Sequence, residues 1–228
     1  MPNPSETHSK TRQNLERGIQ FLFPRLMRSS VRQGLRGVWL RGEMPQRGVI
    51  AANHHSWWDG YLAAELAWGH QLPMRGLMQG DSLEQMPFFR PLGAVGAGEV
   101  RSSLRILERG EPLFIFPEGR VSPPGKLQKL HPGAAWLARV AKVPLYPLAI
   151  RCVMRGQQRP EAYLWMGRPT LNLELELNGL LAKLDFDLEQ HDPERELPGF
   201  RQIVRGPSST QESTQFLSRM LKLALETL

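Results

Sequence analysis

Short apolar runs alternate with helix-forming segments through the middle of the chain, and this alternation constrains the fold more than any other feature. VWLRG (38–42), GVIAAN (48–53) and PLFIF (112–116) favour β-strands, whereas GYLAAELAWG (60–69) and HPGAAWLARVA (131–141) favour helices. Strands that alternate with helices are joined by crossovers, which make the strands parallel and place helices on both faces of the sheet. The sequence therefore predicts an α/β fold with a mostly parallel or mixed central sheet flanked by helices.

The remaining segments extend this pattern within one domain. Three further strands are predicted at RGLMQ (75–79), PLYPLAI (144–150) and EAYLWMG (161–167), with a serine-capped helix at SSLRILERG (102–110). With 228 residues the chain is long enough for one well-buried core but short for two enzyme domains. We expect an amphipathic N-terminal segment (1–35), a core (36–170) and a C-terminal helical extension of the same domain (171–228), the last ending in an amphipathic helix around residues 216–224.

The N-terminal segment has an amphipathic helical pattern that contains a proline. Its apolar side chains recur at helical spacing: Leu15, Ile19, Leu22, Phe23 and Leu26. Pro24 is expected to break or kink this helix. The apolar stripe either packs against the core or, beside several arginines, lies in a lipid interface.

Charge and cysteine content limit the classes of partner. The formal net charge is +7, which favours anionic partners such as nucleic acid, anionic lipid or a phosphorylated substrate, although a solvated basic surface would have the same charge. The single cysteine, Cys152, excludes an intrachain disulfide and suits a reducing compartment. No uninterrupted apolar stretch reaches roughly 18 residues, so no membrane-spanning helix is predicted.

The stretch NHHSWWDG (53–60) directly follows a predicted strand. On a continuous helix, His54 and Asp59 would point about 140° apart, so they can meet only across a turn between the strand and the next helix. Ligands of α/β sheets bind at this edge, outside the carboxyl ends of the strands. If the two side chains meet there, Asp59 fixes the imidazole tautomer of His54, whose free nitrogen can take a proton from an attacking hydroxyl.

Helix capping and metal binding compete with catalysis as roles for this stretch. Aspartate is a preferred N-cap residue, so Asp59 could instead only cap the helix that follows. The histidines could instead suggest a metal, but adjacent side chains such as His54 and His55 rarely reach one ion, and no pair with zinc-helix spacing occurs in the sequence. We therefore predict no metal site.

A second polar stretch, FPEGR (116–120), also follows a predicted strand. Pro117 ends the strand pairing and Gly119 permits a turn, so Glu118 and Arg120 are expected at the carboxyl end of the strand. A carboxylate and a guanidinium there can hold a polyol hydroxyl and an anionic headgroup, or they can pair with neighbours or face solvent.

A third stretch, GAVGAGEVR (93–101), combines glycines with an arginine. Its glycine order is not that of a dinucleotide-binding loop, so a dinucleotide cofactor is not predicted. Small residues instead keep the backbone close to a ligand, whose phosphate Arg101 can reach. No nucleophile elbow of the form G-x-S-x-G is present, and Cys152 has no histidine nearby in the sequence.

Taken together and in this order, these stretches resemble the blocks of the glycerolipid acyltransferase family. NHHSWWD matches the family's N-H-x4-D block, GAVGAGEVR is similar to the second block, and FPEGR resembles the third. VPLYPLAI (143–150) is similar to the fourth, so the resemblance spans about residues 38–167. The third block usually reads F-P-E-G-T-R-S, whereas here Arg120 directly follows Gly119. That difference concerns acceptor binding and leaves the acyl-transfer residues in place.

The resemblance implies an O-acyltransferase that moves a fatty acyl group from acyl-CoA or acyl carrier protein to a lysophospholipid hydroxyl. His54 would be the general base with Asp59 as its partner, and no resident cofactor would be needed. The predicted substrate-binding residues are Arg101, Glu118, Gly119 and Arg120. The expected location is the cytoplasmic face of an anionic membrane, to which the protein is bound peripherally.

Two alternatives to this function remain at the level of sequence. The same chemistry can act on another lipid acceptor, such as a glycolipid, an amino-lipid or a carotenoid glycoside. A non-catalytic basic module that binds nucleic acid or membrane is the other alternative, but the sequence contains no nucleic-acid-binding motif and its aromatic residues lie in apolar runs, so no nucleic-acid partner is predicted.

Overall fold

A computed structural model describes residues 4–207, with side chains described from residue 14 onward except at residue 15. The strands are β1 Gly37–Arg41, β2 Gly48–Ala52, β3 Gly76–Met78, β4 Ala94–Gly96, β5 Pro112–Ile115, β6 Leu145–Val153, β7 Glu161–Met166 and β8 Arg201–Arg205. The helices are α1 Pro4–Gly34, α2 Asp59–Gly69, α3 Gly80–Gln85, α4 Val100–Glu108, α5 Gly133–Val140 and α6 Leu173–Gln190, with a 3-10 turn at Pro87–Phe89.

The eight strands form one mixed sheet in the order β4-β3-β5-β2-β6-β7-β1-β8. Strands β4, β3, β5, β2 and β6 run parallel to one another, whereas β7 is antiparallel to β6 and β8 is antiparallel to β1. The carboxyl ends of β2 and β5 therefore lie side by side at the same edge of the sheet. The predicted α/β class and mixed central sheet are confirmed.

Both faces of the sheet are covered, as alternating side chains require. Strand β2 is buried along its whole length, with Val49 and Ala51 on one face and Ile50 and Ala52 on the other. Helices α4, α5 and α6 contribute buried residues to the first face, and α1 and α2 to the second. The loop that follows β2 is thus anchored in the centre of the core.

Helix α1 continues through Pro24, so of the break or kink expected at this proline the break does not occur. The helix is held to the rest of the protein by tertiary contacts near the proline. The Phe23 ring lies 5.2 Å from that of Phe88 and 5.8 Å from that of Phe89. Such packing offsets the single backbone hydrogen bond that proline removes.

The apolar side chains of α1 divide into two groups. Met27, Val31 and Leu35 are buried against the sheet. Three others point outward and are more than half exposed: Phe21, Leu22 and Leu26. Among the described members of the predicted stripe, Ile19 and Phe23 are half-buried and Leu22 and Leu26 are exposed, so core packing does not account for the whole stripe. In the part of the chain that the structure describes, no helix is long and apolar enough to cross a membrane.

Several elements differ from the sequence-based expectations. Helix α4 begins at Val100 without a side-chain cap, so the serine cap expected at Ser102 is wrong. Strand β8 pairs with β1, although only helical structure was expected beyond residue 170. The amphipathic helix predicted around residues 216–224 lies outside the described residues.

Candidate active site

His54 and Asp59 meet across the turn that follows β2. The strand ends at Ala52 and α2 begins at Asp59, so His54 lies in the connecting loop. Nδ1 of His54 is 2.9 Å from Oδ2 of Asp59, which is hydrogen-bond distance. Because an ionised carboxylate only accepts, a neutral imidazole paired with it carries its proton on Nδ1 and its lone pair on Nε2.

The Asp59 carboxylate is also held by the loop itself. It is fully buried, and Oδ2 accepts the backbone N–H groups of His55 at 2.8 Å and Ser56 at 2.9 Å. A plain N-cap would accept an N–H from the turn that follows it, whereas these donors precede the helix. Three donors on one oxygen, together with the helix N-terminus, stabilise negative charge beside the His54 ring.

The His54 ring is supported on one side and accessible on another. Its centroid lies 4.5 Å from that of the Phe116 ring, in a stacked arrangement. The side chain is 22% exposed, whereas Asp59 is buried completely. Among the described residues, no hydrogen-bond partner contacts Nε2 of His54. This nitrogen can therefore meet a substrate hydroxyl.

The adjacent histidine has a different environment. The backbone N–H of Cys152 donates to Nε2 of His55 at 3.2 Å, so that nitrogen carries no proton. Burial lowers the pKa of His55 from its ordinary value of 6.5, and the charges of Arg151 and His54 lower it further, whereas Asp59 opposes them. His55 is thus a neutral acceptor that ties the loop to β6, which leaves His54 as the candidate base.

Asn53 extends the pairing of β2 with β6 after the backbone has left the sheet. Its Oδ1 accepts the Ile150 N–H at 2.8 Å, and its Nδ2 donates to the Ile150 carbonyl at 3.1 Å. The side chain is buried, so both interactions are shielded from water. The residue just before His54 is therefore fixed by the neighbouring strand.

The FPEGR stretch lies beside this loop because β2 and β5 are parallel neighbours. Glu118 is buried, with its Oε1 accepting the His54 backbone N–H at 2.7 Å and its Oε2 accepting the Gln128 N–H at 3.2 Å. The Ser122 N–H donates to the His54 carbonyl at 2.7 Å. Glu118 thus contacts the backbone of the candidate base, a contact that the sequence did not indicate.

Gly119 occupies a turn that requires glycine. Its φ is +70°, a left-handed conformation, and its N–H donates to the Phe116 carbonyl at 3.0 Å. A Cβ at this position would come within 3.3 Å of the His131 ring. Arg120 follows directly and is exposed, without a hydrogen-bond or ion-pair partner among the described residues.

Arg101 lies at the same edge of the sheet but farther from His54. Strand β4 ends at Gly96, and Arg101 is in the first turn of α4, exposed to solvent. Strand β4 is three positions from β2 in the sheet, a separation of about 14 Å at the usual strand spacing. Arg101 and Arg120 can therefore contact different parts of one extended substrate.

Three other features of the described chain were candidates for a second functional site: the Cys152 thiol, a metal site and a cavity near α2. Burial raises the pKa of the Cys152 thiol to about 11, which keeps it protonated near neutral pH. Among residues 4–207, no three metal-binding side chains come together. A cavity of about 340 Å³ near the C-terminal end of α2 is lined by Arg28, Glu65 and His70, and none of the predicted site residues lines it.

Comparisons with known proteins find one matching family and a similar fold. The family model described as Acyltransferase matches residues 40–151, which include His54, Asp59, Arg101 and the stretch 116–120. The crystal structure of the 1-acyl-sn-glycerophosphate (LPA) acyltransferase PlsC from Thermotoga maritima is similar in fold, with a TM-score of 0.55 and 17% identity. The match covers 81% of this chain and 83% of that one.

Proposed function

This chain belongs to the acyltransferase family through residues 40–151, and on that premise we propose that it transfers a fatty acyl group from an acyl thioester to a lysophospholipid hydroxyl. The observation that carries the proposal is the 2.9 Å contact between Nδ1 of His54 and Oδ2 of Asp59. In a neutral imidazole this contact puts the lone pair on Nε2, on a side chain that is partly exposed. The similar fold of a lysophosphatidate acyltransferase supports this choice of reaction.

The reaction proceeds by direct attack of the acceptor on the thioester. Nε2 of His54 takes the hydroxyl proton while the hydroxyl oxygen forms a bond to the acyl carbonyl carbon. The tetrahedral oxyanion collapses, the carbon–sulfur bond breaks, and the leaving thiolate takes the proton from Nε2. Asp59 stabilises the imidazolium between these steps without taking its proton. No acyl-enzyme and no resident cofactor enter this scheme.

Exposed arginines supply the recognition of anionic groups. Arg120 lies two residues beyond Glu118, beside the His54 loop, and Arg101 lies farther along the same edge. Guanidinium groups bind phosphate oxygens in a bidentate manner, so both suit a lysophospholipid headgroup or the phosphates of coenzyme A. Gly119 lets the backbone turn closely between Glu118 and Arg120. Acyl-CoA and acyl-loaded carrier protein both hold the acyl group as the thioester that this reaction requires.

The outer face of α1 supports binding to an anionic membrane surface. Phe21, Leu22 and Leu26 are exposed on this helix, and the Arg25 guanidinium lies 3.6 Å from the centre of the Phe21 ring. Exposed apolar side chains next to a cation are typical of helices that lie in a lipid interface. The lysolipid acceptor resides in the same membrane, and we place the enzyme on its cytoplasmic face.

An acceptor panel tests the proposed reaction. Wild-type protein is incubated with a donor, palmitoyl-CoA or palmitoyl-acyl carrier protein, and an acceptor, lysophosphatidate or monoacylglycerol. The released thiol and the ester product are both measured. We expect thiol release to require an acceptor, and kcat/KM to fall when the phosphate is removed. Equal rates with both acceptors would favour a non-phosphate lipid instead, and the absence of ester product with any lysolipid would contradict acyl transfer.

A further inference from the structure

We propose that three residues of the segment 116–122 position the catalytic histidine, with Glu118 as the main one, and that Glu118 does not bind the acceptor. This inference rests on the proposed role of His54 as general base. It changes the assignment of Glu118, which the family resemblance places in substrate binding. Three groups in this segment contact His54: the Glu118 carboxylate, the Ser122 N–H and the Phe116 ring.

The carboxylate of Glu118 is already occupied by the protein. The residue is 7% exposed, and each of its two oxygens accepts a backbone N–H, one from His54 and one from Gln128. These partners come from chain segments 64 and 10 residues away. A buried carboxylate needs such donors because it is costly to bury a charge without them. With both oxygens engaged inside the protein and the residue almost fully buried, little of the Glu118 carboxylate is accessible to a substrate hydroxyl.

The same segment holds His54 at two further points. The Ser122 N–H donates to the His54 carbonyl at 2.7 Å, and the Phe116 ring stacks on the imidazole at 4.5 Å. The backbone of His54 is therefore fixed on its N–H side by Glu118 and on its carbonyl side by Ser122. Asp59 fixes the ring from the opposite end of the turn.

Such support affects the rate constant more than the binding of substrate. A general base must lie within hydrogen-bond distance of the proton that it takes, and a displacement of about 1 Å costs on the order of 10²-fold in rate. Loss of the Glu118 contact frees the His54 backbone and leaves the exposed arginines unchanged. We therefore expect a lower kcat with little change in the KM for the acceptor.

Glu118→Gln tests this role with a side chain of the same size. The amide has one acceptor oxygen for two N–H donors, and its NH2 group faces the second donor. We expect kcat to fall by about 10- to 100-fold, with the acceptor KM within about twofold of wild type. Glu118→Asp, which retains two oxygens, should recover part of the lost kcat.

Glu65→Gln is the matched control for a buried carboxylate that lies outside the site. Glu65 is 3% exposed and accepts hydrogen bonds from Arg28. Its loss should lower the melting temperature while leaving kcat per folded molecule unchanged. A similar fall in kcat for Glu65→Gln would show that general destabilisation explains the Glu118 effect, and would contradict the positioning role.

Hydrogen exchange of the His54 backbone amide provides a readout independent of activity. In the wild type this amide should be protected by Glu118, and the protection should decrease in Glu118→Gln while neighbouring strand amides remain protected. A raised acceptor KM with unchanged kcat, or an unprotected His54 amide in the wild type, would overturn the inference. Absence of acyl transfer by the wild-type protein would instead contradict the proposed function, so the two failures are distinguishable.

Discussion

Nδ1 of His54 and Oδ2 of Asp59 are 2.9 Å apart, although one residue lies in a loop and the other begins a helix. The loop between them supplies two backbone N–H groups to the same carboxylate oxygen. The pair and its connecting turn therefore form one hydrogen-bonded unit. Changing Asp59 should disturb both the imidazole tautomer and the turn.

Asp59→Asn should lower kcat by about 10²-fold or more, because an amide no longer favours the tautomer with its proton on Nδ1. Steady-state acyl transfer measures this effect, and circular dichroism reports the folded fraction. Asp187→Asn is a suitable control, since Asp187 pairs with Arg41 outside the site. Activity close to that of wild type in Asp59→Asn would argue against the carboxylate's role.

The buried His55 makes stability depend on pH. Burial lowers its pKa below 6.5 in the folded protein, so the unfolded chain binds a proton at a higher pH than the folded chain does. The stabilisation is fully present above about pH 6.5 and is lost as the pH falls towards the lowered pKa. His55→Gln keeps an acceptor for the Cys152 N–H but does not titrate.

Thermal unfolding from pH 8 to pH 5 tests this linkage. Below about pH 6.5 the melting temperature of the wild type should decrease more steeply than that of His55→Gln. Both proteins share their other titratable groups, so the difference between the two curves isolates His55. Parallel curves over this range would contradict a buried neutral histidine.

The exposed apolar residues of α1 should govern vesicle binding. Replacing Phe21, Leu22 and Leu26 by Ser removes side chains that each contribute about 1 kcal/mol when buried in lipid. Affinity for anionic vesicles should fall by roughly 100-fold, as measured by co-sedimentation. The melting temperature should change little, because these side chains are exposed.

A control for vesicle binding is present on the opposite face of the sheet. Leu175 and Phe186 of α6 are also more than 60% exposed, at 65% and 61%. Replacing them by Ser should leave vesicle affinity unchanged if α1 is the docking surface. Equal losses for both sets of variants would indicate non-specific adsorption.

The two exposed arginines should affect substrate binding more than the chemical step. Arg120→Ala and Arg101→Ala are each expected to raise a substrate KM by about tenfold, since each removes charge-assisted hydrogen bonds to phosphate. Varying acceptor and donor separately shows which KM each arginine controls. A fall in kcat with unchanged KM values would contradict a binding role.

The central part of the fold could be predicted because its signals are local and strong. The strands at GVIAAN and PLFIF are buried apolar runs bounded by turn residues, and α2 begins where Asp59 predicted it. The edge strands were missed for physical reasons. Strand β4 has three residues, two of them small, and β8 is a mostly exposed strand at the end of the sheet.

The environment of His54 was only partly predictable. The contact between His54 and Asp59 could be predicted from their spacing, because the two residues are close in sequence and only a turn separates them. The Glu118 contact joins residues 64 positions apart and involves a backbone N–H, which leaves no trace in side-chain patterns. Because β2 and β5 are parallel neighbours, the residues that follow them lie close together, and a correct prediction of this pairing would have placed Glu118 near His54.

The most direct test of the catalytic assignment compares His54→Ala with His70→Ala in the acyl-transfer assay. His70 lies at the other end of α2, where its Nδ1 contacts the Leu66 carbonyl, away from the proposed site. With palmitoyl-CoA and lysophosphatidate, His54→Ala should lose at least about 10²-fold in kcat while remaining folded, and His70→Ala should remain active. Wild-type rates in folded His54→Ala would contradict the assignment of His54 as the general base.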